Sequence, residues 1–254
     1  MRIPKDIIDV HTHIWSDATG MHVRPGEEEA IIAMSDCYGI NAMVVMPLCG
    51  SHRPTAEQVR ASNDAVASFA EKDRRVRPFG QIDPRHGSVA LQEIRRCVEE
   101  LGLVGFKVWV ALADAPDMYP LIERMIHYDR PVLIHAMHKT VGQYPSESDP
   151  VNVANLAGRY PEATIIMAHM GGDFIYGCNA IADLPNILTD PSGTYCETGM
   201  LEWAVGVLGA DRILFGSDAP GADFVNNLAK VMAADITDQD KRKIMYTNAK
   251  RLLG

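Results

Sequence analysis

The sequence predicts an α/β fold, a (β/α)8 TIM barrel forming a single domain over residues 1–254. Three observations carry that expectation. Eight short apolar runs alternate with longer amphipathic segments from one end of the chain to the other, and 254 residues is the length such a barrel needs. Several runs are apolar on both parities, as in Val44-Val45-Met46 and Ile165-Ile166-Met167, the pattern of parallel strands covered by helices. The rival, a doubly wound open sheet, calls for a glycine-rich phosphate loop after an early strand, and the sequence has none.

In order, the strand-like runs are Ile7–Val10, Ala42–Met46, Val76–Ile82, Leu103–Val108, Pro131–Ile134, Thr164–Ala168, Asn186–Leu188 and Arg212–Phe215. The intervening segments carry helical signals. Thr55-Ala-Glu-Gln58 reads as a capping box, with Val66 and Phe69 on the apolar face that follows. Ser88 is placed to cap a helix bearing Leu91, Ile94, Val98 and Leu101. Leu121, Ile122, Met125 and Ile126 form a stripe before Pro131, and Thr237-Asp-Gln-Asp240 opens a final helix running through Lys243 to Leu252. These stripes are read as core packing.

Composition narrows the class. With 24 Lys+Arg against 33 Asp+Glu the formal net charge is −9, a field that repels phosphate backbones and argues against nucleic acid or an anionic membrane as partner. Cys37, Cys49, Cys97, Cys178 and Cys196 are widely spaced with no Cys-x-x-Cys pair, so free thiols in a reducing compartment are expected. The N-terminal Met-Arg-Ile-Pro-Lys-Asp runs directly into a strand without a signal-type apolar segment, and no stretch is long enough to span a bilayer. The expectation is a cytoplasmic protein acting on a small molecule, with a homodimer as the default for a barrel.

Chemistry concentrates at strand ends. Asp9-Val10-His11-Thr12-His13 ends the first run, and period-2 alternation puts Asp9, His11 and His13 on one face. The fifth run ends in His135, the sixth in His169-Met-Gly-Gly, the eighth in Gly216-Ser-Asp218. Of the nine histidines only His127 falls within a predicted helix; the others lie at the carboxyl edge of a strand or in the loop after it, where barrels place their chemistry. Imidazoles with one carboxylate suit Zn2+, one ion being the default, and Mn2+ and Fe2+ accept similar donors. Asp218 is positioned to ligate and to accept a proton, and His169 to polarise the reacting oxygen or act as acid or base.

Lys107 ends the fourth run and has three readings: an anion-binding ammonium, a metal-bridging carbamate or a structural salt bridge. Trp109, of the same parity, is a pocket wall or core. Arg53 and Arg85, each beside a histidine in the loops after the second and third runs, offer guanidinium forks for a substrate carboxylate, against the alternative of plain solvated arginines. Asp9 is assigned to orient a ligand histidine through its far nitrogen. Asp190-Pro-Ser192-Gly193 lines the mouth after the seventh run.

Taken together, Asp9-x-His11-x-His13, Gly105-Phe-Lys107, Leu133-Ile-His135-Ala, Ala168-His169-Met-Gly-Gly, Gly216-Ser-Asp218 and the closing Asn248-Ala249-x-x-Leu252-Leu253-Gly254 resemble the amidohydrolase superfamily, specifically its amidohydrolase-related branch (amidohydrolase family 2). The resemblance runs from the first strand to the last residue. It implies that His11, His13, His135 and Asp218 bind one metal, usually zinc, and that His169 is the catalytic histidine. The branch contains hydrolases of C–N and C–O bonds and non-oxidative decarboxylases. This chain is shorter than typical decarboxylase members, which favours hydrolysis. The primary expectation is therefore a metal-dependent hydrolase of an amide, lactone or ester in a small, carboxylate-bearing metabolite, through metal-activated water. The alternative is a zinc-dependent non-oxidative decarboxylase of a small unsaturated or aromatic acid; the third, a catalytically silent metal-binding scaffold.

Overall fold

A computed structural model describes residues 5–254; Met1–Pro4, part of the N-terminal lead read above, lie outside the described residues. Strands β1 (Ile8–Trp15), β2 (Ala42–Leu48), β3 (Val76–Ile82), β4 (Gly105–Val108), β5 (Val132–Ile134), β6 (Ile165–Met167) and β7 (Ile187–Thr189) pair in sequence order as one parallel seven-stranded sheet. Helices α1 (Glu27–Tyr38), α2 (Ala56–Lys72), α3 (Ser88–Glu99), α4 (Tyr119–His127), α5 (Pro150–Arg159), α6 (Phe174–Ala180) and α7 (Met200–Leu208) follow the strands in turn. Helix α8 (Phe224–Ala233), α9 (Asp238–Arg242) and α10 (Asn248–Leu253) complete the chain. Among the described residues no helix is long and apolar enough to cross a membrane.

The eighth expected strand is a correction. Arg212–Phe215 does not form one; the segment lies between β7 and β1 as irregular backbone, joined to them by isolated bridges at Thr189–Ile213 and Thr12–Ala219. The Leu214 amide donates to Thr189 at 2.8 Å, and the Val10 amide donates to Phe215 at 2.9 Å. A regular ladder stops because the chain turns at once: Asp218 has φ 62°, and the Ser217 amide bonds the Asp9 side chain at 3.0 Å instead of a strand carbonyl. The fold is thus TIM-like, with seven regular strands among the described residues.

Two apolar layers hold it. Residues facing the helices, among them Met43, Val45, Phe106, Ile134 and Met167, form the larger core. Those facing inward, including Ile8, Val10, Val44, Phe79, Leu133, Ile166 and Leu214, form a second, which Ala249 of α10 joins. Asn248 anchors that helix, donating to the carbonyls of Ala210 and Ile213 at 2.7 and 2.8 Å. The Thr55 capping box forms as expected, whereas Gly87 rather than Ser88 precedes α3, and the expected final helix is broken by a π turn over Lys243–Thr247. The cysteines are free, with Cys49, Cys97 and Cys178 buried.

The register of β1 against β2 shifts between Asp9 and Thr12. A bulge of this kind re-aims side chains. Val10 points into the inner layer, and so do His11 and His13 beyond the shift. Asp9 does not follow them: its Oδ1 accepts the backbone amides of His11 and Ser217, each at 3.0 Å.

Candidate metal centre

His11 Nε2 lies 3.1 Å from His13 Nε2, and Asp218 Oδ1 lies 3.5 and 3.1 Å from these two nitrogens. Donors about 2.0–2.1 Å from a common ion, subtending roughly 90–110°, stand about 2.9–3.4 Å apart. Two sides of the observed triangle, both 3.1 Å, fall in that range, and the third, 3.5 Å, lies just beyond it. Its tautomers also fit. His13 Nδ1 meets the Met46 carbonyl at 3.2 Å and His11 Nδ1 meets the Asp190 carboxylate at 3.1 Å; both partners only accept, so both protons sit on Nδ1. The two Nε2 lone pairs therefore converge with a carboxylate oxygen, an arrangement that suits a cation between them.

Burial supports the same protonation. It lowers His11 well below the ordinary histidine range and lowers His13, with the nearby Lys107 charge adding to the effect. Lys107 on β4 is buried, its Nζ 3.2 Å from His11 Nε2, a contact that an ion taking that lone pair would replace; burial pushes it down to about 8.

The remaining expected residues divide. His169 is near, its ring centroid 5.0 Å from that of His11. Burial lowers it to about 4, so it is neutral. Ser192 Oγ stands 3.0 Å from both His11 Nδ1 and His169 Nδ1, and Asp190 also accepts the amides of His169 and Ser192. His11, His169 and Asp190 are thus close enough to read as a second donor cluster, yet Ser192 already accounts for their spacing by hydrogen bonding. His135 is not in the three-donor group. Its Nε2 donates to Glu147 at 2.8 Å and its Nδ1 faces His169 Nε2 at 3.2 Å. To act as a further donor through Nε2, it would have to release Glu147.

Trp109 packs edge-on against His52 and Trp15, and Trp15 against His13, making an aromatic row that leads away from the triangle; Tyr144 extends it from His52. Arg85 is committed elsewhere: it grips Asp83 at 2.8 and 2.5 Å and the His52 carbonyl at 2.7 Å. Arg53 is exposed.

Sequence reasoning assigned to Asp9 the orienting bond that Asp190 makes. Asp190 had the signal of a strand-end acid, as Asp218 does. Glu147 had none, lying in a segment without periodicity. The backbone is strained where it delivers the site: His169 and Met170 have φ 60° and 48°, besides Asp218. Glycine is needed at 193, with φ 97°, where a Cβ would stand 3.2 Å from His169 Nδ1.

A strand-end metal triangle on a TIM-like frame defines a metal-dependent enzyme class, and comparison with known proteins narrows it. The model of the family described as Amidohydrolase matches residues 8–254, and the chain belongs to that family. It is 26% identical to the gamma-resorcylate decarboxylase of Polaromonas sp. (strain JS666 / ATCC BAA-500), over 93% of this chain and 87% of that one. It is 25% identical to the 2-keto-4-carboxy-3-hexenedioate hydratase of Sphingobium sp. (strain NBRC 103272 / SYK-6), over 85% and 76%. The crystal structure of a dihydroxybenzoic acid decarboxylase from Polaromonas sp. JS666, with bound manganese and the inhibitor 2-nitroresorcinol, superposes with a TM-score of 0.79 at 21% identity, covering 98% of this chain and 97% of that one.

These relatives overturn the primary expectation of hydrolysis. Decarboxylases recur among them and match nearly all of this chain; the chain is shorter than they are, its 254 residues lying within alignments of up to 294 positions, but shortness does not mark a hydrolase. The ligand types misled because the same cluster can hold a hydroxide or a carboxylate. The donor set does not select zinc: imidazole and carboxylate donors accept manganese as well, and the related structure carries manganese.

Proposed function

We propose that the protein is a metal-dependent, non-oxidative decarboxylase of a small aromatic or unsaturated carboxylic acid. The observation that carries this reading is the donor triangle of two buried imidazoles, His11 and His13, and the half-buried Asp218, with the Lys107 ammonium 3.2 Å from one member. It pairs a cation site with a second positive group, as recognition of a carboxylate requires. The curated decarboxylase relatives support it.

In this reading His11 and His13 hold the ion through Nε2 and Asp218 through Oδ1. When bound, a divalent cation such as Mn2+ supplies a positive anchor for substrate oxygens and draws electron density from the bond that breaks. Lys107 orients the carboxylate; its burial excludes competing water. Trp109 and Trp15 form the wall for a planar substrate. Arg85 is left out, its guanidinium being spent on Asp83.

Loss of CO2 leaves an electron pair on carbon, and one proton must arrive there. Asp218 carries it on its second carboxylate oxygen, taking the proton from substrate or solvent and delivering it to carbon. His169, neutral and with Nδ1 3.0 Å from Ser192 Oγ, is the second proton-handling group.

The test is a panel of carboxyl-13C acids, including 2,6-dihydroxybenzoate and 5-carboxyvanillate together with unsaturated dicarboxylates, given to Mn2+-loaded protein in D2O. Release of 13CO2 with one deuterium at the vacated carbon is expected. Addition of water without CO2 release, or no turnover of any member, contradicts the proposal.

A further inference from the structure

A buried lysine lies behind the site rather than in it. Lys230 of α8 makes three bonds: Nζ donates to the carbonyls of Pro191 and Gly193 at 2.8 and 2.9 Å and to Asn227 Oδ1 at 2.8 Å. All three acceptors are neutral, and each ammonium proton has one. Burial pushes the group down to about 8, so at neutral pH it still carries the charge that makes these bonds strong. An ammonium buried without a carboxylate partner is costly, and a methionine of similar length would avoid that cost.

What the three bonds hold explains the arrangement. Pro191 and Gly193 flank Ser192, whose Oγ meets His11 and His169 at 3.0 Å each. Asn227 in turn donates to the carbonyl of Ser217, the residue before Asp218, at 2.8 Å. One helix thereby ties the loop that aligns two imidazoles to the turn that presents the carboxylate. Both segments depart from regular strand geometry, with positive φ at Gly193 and Asp218; the Asp218 turn keeps backbone bonds to β1, from Asp218 to His11 at 2.6 Å and from His13 to Ala219 at 2.7 Å, and Lys230 and Asn227 add the link between that turn and the Ser192 loop.

We propose that Lys230, through Asn227, is a positioning residue that fixes the loop bearing Asp190 and Ser192 relative to Asp218, and so sets the alignment of His11 and His169 for the reaction. The inference rests on the site reading given above. It does not need Lys230 to touch substrate or metal.

The experiment compares Lys230→Met and Lys230→Gln with the wild type in two measurements. The first is the 15N imidazole spectrum of histidine-labelled protein. The signals of His11 and His169 are expected to move, while those of His22, His86 and His127, which make no bond to Lys230, Asn227 or the Ser192 loop, stay in place. The second is steady-state kinetics on the acid that the wild type decarboxylates. Lys230→Met is expected to lower kcat about 10- to 100-fold, with KM within about threefold because ground-state anchoring is untouched. Lys230→Gln, which keeps two donors, should fall between. Unmoved His11 and His169 signals, or a wild-type kcat in Lys230→Met, overturn the proposal. So does collapse of all the histidine signals in both variants, which would make Lys230 part of general packing. If the wild type decarboxylates nothing, the functional reading fails by itself, and the imidazole spectrum still decides the role of Lys230.

Discussion

The Asp190 carboxylate accepts the Nδ1 proton of His11 at 3.1 Å, and this bond decides which nitrogen of His11 faces Asp218. Partners of this type hold a ligand imidazole in orientation and raise its basicity. Asp190→Asn should therefore weaken Mn2+ binding about 10- to 100-fold, measured by calorimetry on protein whose melting curve shows it folded. Unchanged affinity would remove Asp190 from the account.

The number of coordinating histidines is a separate prediction. With His135 bonded to Glu147, pulsed EPR of Mn2+-loaded, 15N-histidine-labelled protein should show two directly bound imidazole nitrogens. Three would mean that His135 leaves Glu147 when the ion arrives, and would restore the four-ligand set expected from the sequence.

Glu147 itself makes a pH prediction. Burial works to raise its carboxyl, but bonds from His135, Lys139 and the Tyr144 amide outweigh this and hold it at about 2. The folded value lies below the unfolded one of about 4.3, so the folded form is favoured while the group is ionised. That contribution is fully present above about 4.3 and is lost as pH falls through about 2. Melting temperature on acidification should drop more steeply in the wild type than in Glu147→Gln. Parallel curves would show that the carboxylate contributes nothing.

Gly216 lies against the site from behind. A Cβ there would stand 2.8 Å from His11 Cβ and 3.1 Å from Asp190 Cγ. Gly216→Ala should cost about 1–3 kcal/mol of stability by overpacking and weaken Mn2+ binding, because the atoms that must move are those that orient His11. Denaturant melts and calorimetry on the same preparation check both effects; retention of wild-type affinity would show that His11 tolerates the displacement.

Parts of this arrangement were legible in the sequence for a physical reason. His11, His13, Lys107, His169 and Asp218 close strand-like runs, and the strand edge of such a barrel gathers its residues whatever their separation along the chain. The eighth strand was misread because Ile213-Leu-Phe215 has the apolarity of a buried strand, while the turn at Asp218 that interrupts pairing leaves no mark in hydropathy. The bulge in β1 was equally silent, so Asp9 was credited with the bond that Asp190 makes. Glu147 and Lys230 reach the site region from a loop and from a helix face, and neither position has a periodicity that announces it. The reaction was misjudged at another level: imidazole and carboxylate donors specify a cation, and a cation serves hydrolysis and decarboxylation alike.

The most direct test strips divalent ions from the protein with a chelator and follows 13CO2 release from a carboxyl-labelled acid before and after Mn2+ is returned, in the wild type and in His13→Ala. Release should stop on chelation, recover with Mn2+ in the wild type, and fail to recover in His13→Ala. Release that persists without the ion, or a His13→Ala variant that recovers as the wild type does, would contradict a decarboxylase built on the His11, His13 and Asp218 triangle.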